Sequence, residues 1–300
     1  MYRGRRGNGN VNRGDIVTNQ GNYIGVVGSG TMGNGIAHVF AQSNYKVFLV
    51  DLNDSILDKA IQIISNNMQR QVKKELISQA EMNKALNNIT TSTNMNCLEK
   101  SSIVIEAASE NKKIKIKIFK NLDSICNHQT ILASNTSSIS ITKIANATNR
   151  PDQVIGMHFM NPVPVMKLIE VIKGEHTSVK TLETILDVSK QLNKVALECN
   201  DSPGFISNRI LMPLINEAVY CLMDNIADKE SIDGIMKLGM GHPMGPLMLA
   251  DLIGIDVCVS IMKVLEEGLN SKKYAPCPLL LDMLKSNKLG KKTNEGFYRY

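Results

Sequence analysis

Two polar side chains interrupt the stretch GMHFMNPVPVMKLIEV, residues 156 to 171: His158 in the first apolar run and Glu170 in the second. A bend about Pro164 folds these runs into a hairpin with 158 facing 170, and directly opposed Cβ atoms in such a pair lie about 5 Å apart. The chain has only five histidines, and one set against a carboxylate is material for proton transfer. Imidazole titrates near 6.5 and exchanges a proton at neutral pH. A carboxylate beside it fixes the tautomer and favours the charged ring. A lone His in an apolar run is ordinarily a satisfied core residue; the carboxylate in register turns the reading towards catalysis.

A second constellation is VVGSGTMGNG, where Gly28, Gly30 and Gly33 stand in GxGxxG spacing around Ser29, Thr31 and Met32. The spacing alone is weak, but here it follows a short apolar strand, opens a helix, and precedes Asp51 at the end of the next strand. In a dinucleotide site the first Gly makes the turn, the second admits the pyrophosphate, and the third lets helix and strand pack closely. The helix N-terminus then offers N–H groups to the phosphates. Asp51 is placed to accept from ribose hydroxyls and to repel a 2'-phosphate, and DLNDSI supplies no Arg, which favours NAD over NADP.

Ligands of such sheets bind beyond the carboxyl ends of the strands, and several of these ends are polar. Glu106 and Glu110 follow SIVI, Ser137 follows ILASNT, and Asn161 follows the strand of His158. No GxSxG elbow surrounds Ser137, so it reads as a hydrogen-bond donor rather than a nucleophile. Asn208 lies near the start of the first helix after DSPGF and by itself reads as an ordinary helical Asn.

The elements that must position these groups alternate. YIGVVG, KVFLVD, SIVIEAA, ILASN and VIGMHFM read as strands, with helices between them, including a long polar one from about 55 to 79. That order predicts a Rossmann-like, doubly wound α/β sheet. After residue 201 the strand signals stop, and Met and Leu at helical spacing predict an all-α second domain packed around its own core. The expected organisation is a basic, disordered tail over 1–21, an NAD-binding domain over 22–201 and a helical domain over 202–300.

Composition excludes several classes. With 43% hydrophobic and 21% charged residues in 300, the chain is expected to be a soluble, intracellular protein, with no apolar run of spanning length and no secretory leader. Six scattered cysteines without a CxxC suggest free thiols and no metal site. The net charge of +6 sits half in the tail, where four Arg stand against one Asp, leaving the body too mildly basic to argue for nucleic acid. The tail has the charge of a mitochondrial targeting segment but not its amphipathic pattern.

The chain closely resembles the L-3-hydroxyacyl-CoA dehydrogenase family, including the 3-hydroxybutyryl-CoA dehydrogenases, over residues 22 to 300. The resemblance rests on GSGTMGNGIA, VIEAASEN, ILASNTSS, GMHFMNPVPVMKLIEVI, DSPGFISNRIL, MKLGMGHPMGP and GKKTNEGFYRY, in the family's order. It implies interconversion of a 3-hydroxyacyl-CoA and its 3-ketoacyl-CoA with NAD in a cleft between the two domains, in a homodimer; the expected compartment is the cytoplasm or mitochondrial matrix. His158 would take the hydroxyl proton, Glu170 would hold the imidazole, and Ser137 and Asn208 would bond around the reacting oxygen. Cofactor contacts would fall on Gly28 to Gly33, Asp51, Glu110, Lys115, Ser137 and Lys292. The substrate would meet Asn67, Lys74, Ser137, Asn161 and Asn208, with Asn67 where the family can show Ser. Lys115 lies in NKKIKIKIFK, whose Ile/Lys alternation reads as a strand, although Ile114, Ile118 and Leu122 fit one helical face; the resemblance favours the helix. The rivals are a related hydroxyacid or sugar-acid dehydrogenase, separable by a requirement for the CoA moiety, and a catalytically silent, crystallin-like NAD-binding protein.

Overall fold

The computed structural model describes residues 23–300. The tail of residues 1 to 21, with its reading as a disordered or targeting segment, lies outside them. Eight strands form one sheet: β1 (Tyr23–Val27), β2 (Lys46–Val50), β3 (Ile89–Ser92), β4 (Ile103–Glu106), β5 (Ile131–Ser134), β6 (Val154–Phe159), β7 (Leu168–Lys173) and β8 (Val195–Asn200). Their order is β3-β2-β1-β4-β5-β6-β7-β8. The first six follow the dinucleotide-fold order and pair in parallel. The β6–β7 pair alone is antiparallel. Helices α1 (Thr31–Gln42), α2 (Asp54–Lys73), α3 (Gln79–Leu86), α4 (Lys112–Ile125), α5 (Ile141–Ala145) and α6 (Val179–Gln191) connect the strands.

Strand periodicity sorts the core onto two faces. Ile103 and Ile105 of β4 join a cluster with Ile36 and Phe40 of α1, Leu57 and Ile64 of α2, and Ile185 of α6. Val104, between them, joins Phe119 and Leu122 of α4 and Ile141 and Ile144 of α5 on the other side. Each of these fully buried side chains contributes roughly 1.5–3 kcal/mol relative to exposure. Along β6, Met157 and Phe159 point to the α1 side. His158 is therefore on the opposite face.

The polar helix expected to run to about 79 stops earlier. Lys74 ends α2, Glu75 takes a left-handed φ of +57°, and a capping box starts α3, with Ser78 and Glu81 exchanging side-chain and backbone bonds. A reciprocal box of this kind satisfies two orphan donors and so favours a new start over continuation. NKKIKIKIFK is helical, but the buried face is Lys115, Phe119 and Leu122, while Ile114 is 44% exposed.

Beyond the sheet, α7 (Ser207–Met223), α8 (Lys229–Met240), α9 (Pro246–Ile253), α10 (Ile255–Leu269) and α11 (Pro278–Lys285) enclose a second core around Ile215, Leu247, Ile255 and Leu265. Two buried carboxylates knit it together. Asp233 accepts from the Leu247 and Met248 N–H groups at the start of α9 and from the Tyr298 hydroxyl. Asp251 accepts from the Phe297 and Tyr298 N–H groups. Asp233 thus ties α8 to the start of α9, and Asp251 ties the end of GKKTNEGFYRY to the same helix.

Candidate active site

The β6–β7 register places His158 opposite Glu170, with Met157 facing Val171 and Phe159 facing Ile169. His158 Nδ1 lies 2.9 Å from Glu170 Oε2. The carboxylate is 5% exposed and is held from the helical domain as well. Oε1 accepts the N–H groups of Ile206 at 2.8 Å and Ser207 at 3.0 Å; Oε2 accepts the Ser207 hydroxyl at 2.8 Å. The start of α7 therefore docks on Glu170, where unpaired N–H groups and the positive dipole end favour an anion. Burial pushes the Glu170 carboxyl up, but His158 and these donors outweigh it and hold it below the usual carboxylate range. The ring of Phe205 covers the imidazole with centroids 6.1 Å apart. With Nδ1 committed, Nε2 has no hydrogen-bond partner among the described residues.

Next to Ser207 in the first turn of the same helix, Asn208 is buried and donates through Nδ2 to the Ser137 carbonyl at 3.0 Å. This bond ties the loop after β5 to α7, so His158, Glu170, Ser137 and Asn208 share one corner. Glu110 completes it from the loop after β4. Its Oε1 accepts from the Thr136 hydroxyl at 2.6 Å, from the N–H and hydroxyl of Ser137 at 2.9 and 3.2 Å, and from Ser138. Burial raises the Glu110 carboxyl, yet Lys115 and these donors prevail and keep it ionised below its ordinary range.

Lys115 is fully buried. Its ammonium bonds Glu106 at 2.8 Å and lies 3.4 Å from Glu110. Glu106 also accepts the Ser134 hydroxyl and the Ala108 N–H. Glu106 and Lys115 thus form an internal pair beneath the site that aims Glu110.

The Gly-rich turn has the shape a pyrophosphate needs. Gly28 adopts φ +95°, and a Cβ there would meet the Ala107 carbonyl oxygen at 2.7 Å. A Cβ on Gly33 would come within 1.7 Å of the Gly28 oxygen, so the helix packs on the turn only through glycine. At Gly30 a Cβ would meet nothing within 4 Å. That open approach lies where backbone must come close to a phosphate. Asp51, at the end of β2, accepts the N–H and hydroxyl of Ser29 at 2.6 and 2.7 Å, which brings its carboxylate to the turn.

The remaining expected contacts are dispersed. Asn161 is exposed just past β6. Asn67 is half-buried on α2, and Lys74 is exposed at its C-terminal end. Lys292 pairs with Asp256 of α10 in the helical domain. Sequence reasoning did not single out Ser207, Thr136 and Ser138. The signal for the latter two was the hydroxyl run NTSS itself; Ser207 had none, because its partner is 37 residues away.

Both the imidazole pair and the glycine turn open at the carboxyl ends of one sheet, so proton transfer and a dinucleotide meet on the same side: the class is an NAD-dependent dehydrogenase. The pattern described as 3-hydroxyacyl-CoA dehydrogenase, NAD binding domain, matches residues 23–202, and that of the family's C-terminal domain matches 204–300. A 3-hydroxybutyryl-CoA dehydrogenase of Clostridioides difficile is 48% identical over 277 residues, covering 92% of this chain and 99% of its own. The human mitochondrial hydroxyacyl-coenzyme A dehydrogenase is 44% identical, with 93% and 91% covered. The crystal structure of (S)-3-hydroxybutyryl-CoA dehydrogenase PaaH1 from Ralstonia eutropha superposes with a TM-score of 0.91 at 46% identity, covering 93% of this chain and 99% of that one. The chain belongs to the 3-hydroxyacyl-CoA dehydrogenase family.

Proposed function

We propose that this protein interconverts (S)-3-hydroxyacyl-CoA and 3-ketoacyl-CoA with NAD, on short acyl chains such as 3-hydroxybutyryl. The observation that carries this reading is the His158–Glu170 pair at 2.9 Å, on the same sheet as the glycine turn that follows β1. Glu170 keeps the Nδ1 proton of His158, so Nε2 is the atom that takes the 3-hydroxyl proton; the ionised carboxylate then stabilises the imidazolium. In the reducing direction the same Nε2–H returns the proton to the developing alkoxide. NAD held by this chain would supply the acceptor for the hydride of C3. Asn208 has a second amide N–H to bond the reacting oxygen, and the Ser137 hydroxyl can join it by rotating away from its bond of 3.2 Å to Glu110. The Gly28 to Gly33 turn would hold the pyrophosphate and Asp51 the ribose hydroxyls. Glu110 would border the nicotinamide side, with Lys115 acting through it. Lys292, paired with Asp256 in the helical domain, stays among the expected cofactor contacts.

Arg70, Lys73 and Lys74 at the end of α2 offer a cationic flank for the CoA phosphates, with Asn67 on the same helix. Homodimerisation through the helical domain is supported by its exposed Ile210, Ile235, Leu238 and Met240. Cytoplasm or mitochondrial matrix accords with the bacterial and mitochondrial relatives; no helix of the described residues is long and apolar enough to cross a membrane. The test is NADH oxidation by the purified protein with acetoacetyl-CoA, beside free acetoacetate and NADPH controls. Consumption that requires both CoA and NADH supports the reading; turnover of free acetoacetate at the same rate overturns the substrate class.

A further inference from the structure

The carboxylate behind His158 has four donors, and only one of them other than the imidazole comes from a side chain. Oε1 is filled by the backbone N–H groups of Ile206 and Ser207. Oε2 is divided between His158 Nδ1 at 2.9 Å and the Ser207 hydroxyl at 2.8 Å. Two donors on one oxygen compete, because each bond withdraws charge the other would use. The backbone donors survive any substitution except proline; the hydroxyl is the adjustable member.

We propose that Ser207 is a positioning residue that sets the protonation range of His158 by sharing Glu170 Oε2. The proposal rests on the reading of His158 as the proton-transfer group. By drawing on Oε2, the hydroxyl weakens the hold of the carboxylate on the imidazolium more than on the neutral ring, since only the charged ring makes the full ion pair. Loss of the hydroxyl would therefore leave a stronger pair between the imidazolium and the carboxylate. The hydroxyl also fixes the carboxylate plane on the helical-domain side, tying the orientation of the imidazole to the seating of α7.

Other groups facing the pair leave this control with Ser207. On β8, burial first and then the charge of Glu170 push the Cys199 thiol up to about 11, so it stays neutral across the working range. Asp201 is engaged by the Ser140 hydroxyl and the Thr142 N–H, and Lys173 faces Glu198 at 3.6 Å. Phe205 on the ring side carries no charge. Glu110 is paired with Lys115 and bonded to the loop of Ser137, and Lys115 is bonded to Glu106.

The experiment is the imidazole titration of His158, followed by nitrogen-15 NMR in the wild type, Ser207→Ala and Ser207→Thr, alongside the pH profile of kcat/KM for hydroxyacyl-CoA oxidation. Removing one charge-assisted bond from a shared oxygen should raise the titration midpoint by about 0.5 to 1 pH unit, with the acidic limb of the profile moving by the same amount. Threonine, which keeps the hydroxyl, should restore the wild-type midpoint. Ser207→Val carries the same expectation as alanine if the alanine variant does not accumulate. An unchanged midpoint in the hydroxyl-free variants, or a shift that threonine does not reverse, overturns the proposal. Failure of the functional reading looks different: His158→Ala would keep its turnover, while the NMR titration would still report on Ser207.

Discussion

Replacing Glu170 by Gln keeps the shape of the site and inverts its logic. The Gln carbonyl can take the place of Oε1 beneath the Ile206 and Ser207 N–H groups, which directs its NH₂ at His158 Nδ1 and the Ser207 hydroxyl. The Ser hydroxyl can rotate and accept; the imidazole can accept at Nδ1 only by carrying its proton on Nε2. That is the atom required to receive the substrate proton, and the negative charge that stabilised the imidazolium is gone as well. General base catalysis supplies about 10²- to 10⁴-fold, so the expected loss in kcat is of that order, or roughly 3–5 kcal/mol of transition-state stabilisation. Folding stability should fall much less, by about 1–3 kcal/mol, because lost charge-assisted bonds are partly offset by relief of a buried charge. The assay is steady-state NADH oxidation with acetoacetyl-CoA, paired with NADH binding by fluorescence. Glu170→Gln turning over within about threefold of wild type, with NADH affinity unchanged, would refute the tautomer argument.

Three further outcomes follow from the same contacts. Asp51→Ala should weaken NADH by about 10- to 150-fold, the value of a bond to a charged acceptor, while sparing acyl-CoA affinity; an unchanged NADH Kd in a binding titration removes Asp51 from the site. Lys115→Met leaves Glu106 buried without its cation and should cost about 3–5 kcal/mol in chemical denaturation, whereas Lys115→Met with Glu106→Gln should recover much of it; equal stability of the two variants would count against the internal pair. His38, fully buried on α1, has its imidazole pushed down to about 4 by burial, against the raising bond from Gln42 and with Lys194 nearby. Below its ordinary range the unfolded chain binds a proton that the folded one does not, so stability falls with pH between roughly 6.5 and 4. About 2 kcal/mol of the loss between roughly pH 7 and pH 5 should disappear in His38→Gln, as read from denaturation midpoints at the two pH values.

The parts of the site legible in the sequence are those governed by short-range geometry. Residues 158 and 170 could be paired because a hairpin register is fixed by its turn and by a side-chain period of two. The glycine turn and Asp51 were legible because their spacing is set by one βαβ unit. What escaped was decided by tertiary contact. Strand β3 has only ITTS, half-exposed, and β8 is an edge strand with Val195 and Leu197 turned outward, so neither shows a buried run. In α4 the buried face was displaced by one position because a lysine belongs to it: Lys115 is inside only because Glu106 and Glu110 are there to receive it. Ser207 is likewise defined by Glu170, a partner no local pattern announces.

The measurement that tests the central claim most directly is turnover of His158→Ala with acetoacetyl-CoA and NADH, set beside its NADH binding. Loss of kcat by about 10²- to 10⁴-fold with NADH affinity preserved is the predicted result. Turnover close to that of the wild type would contradict the assignment of His158 as the group that moves the proton.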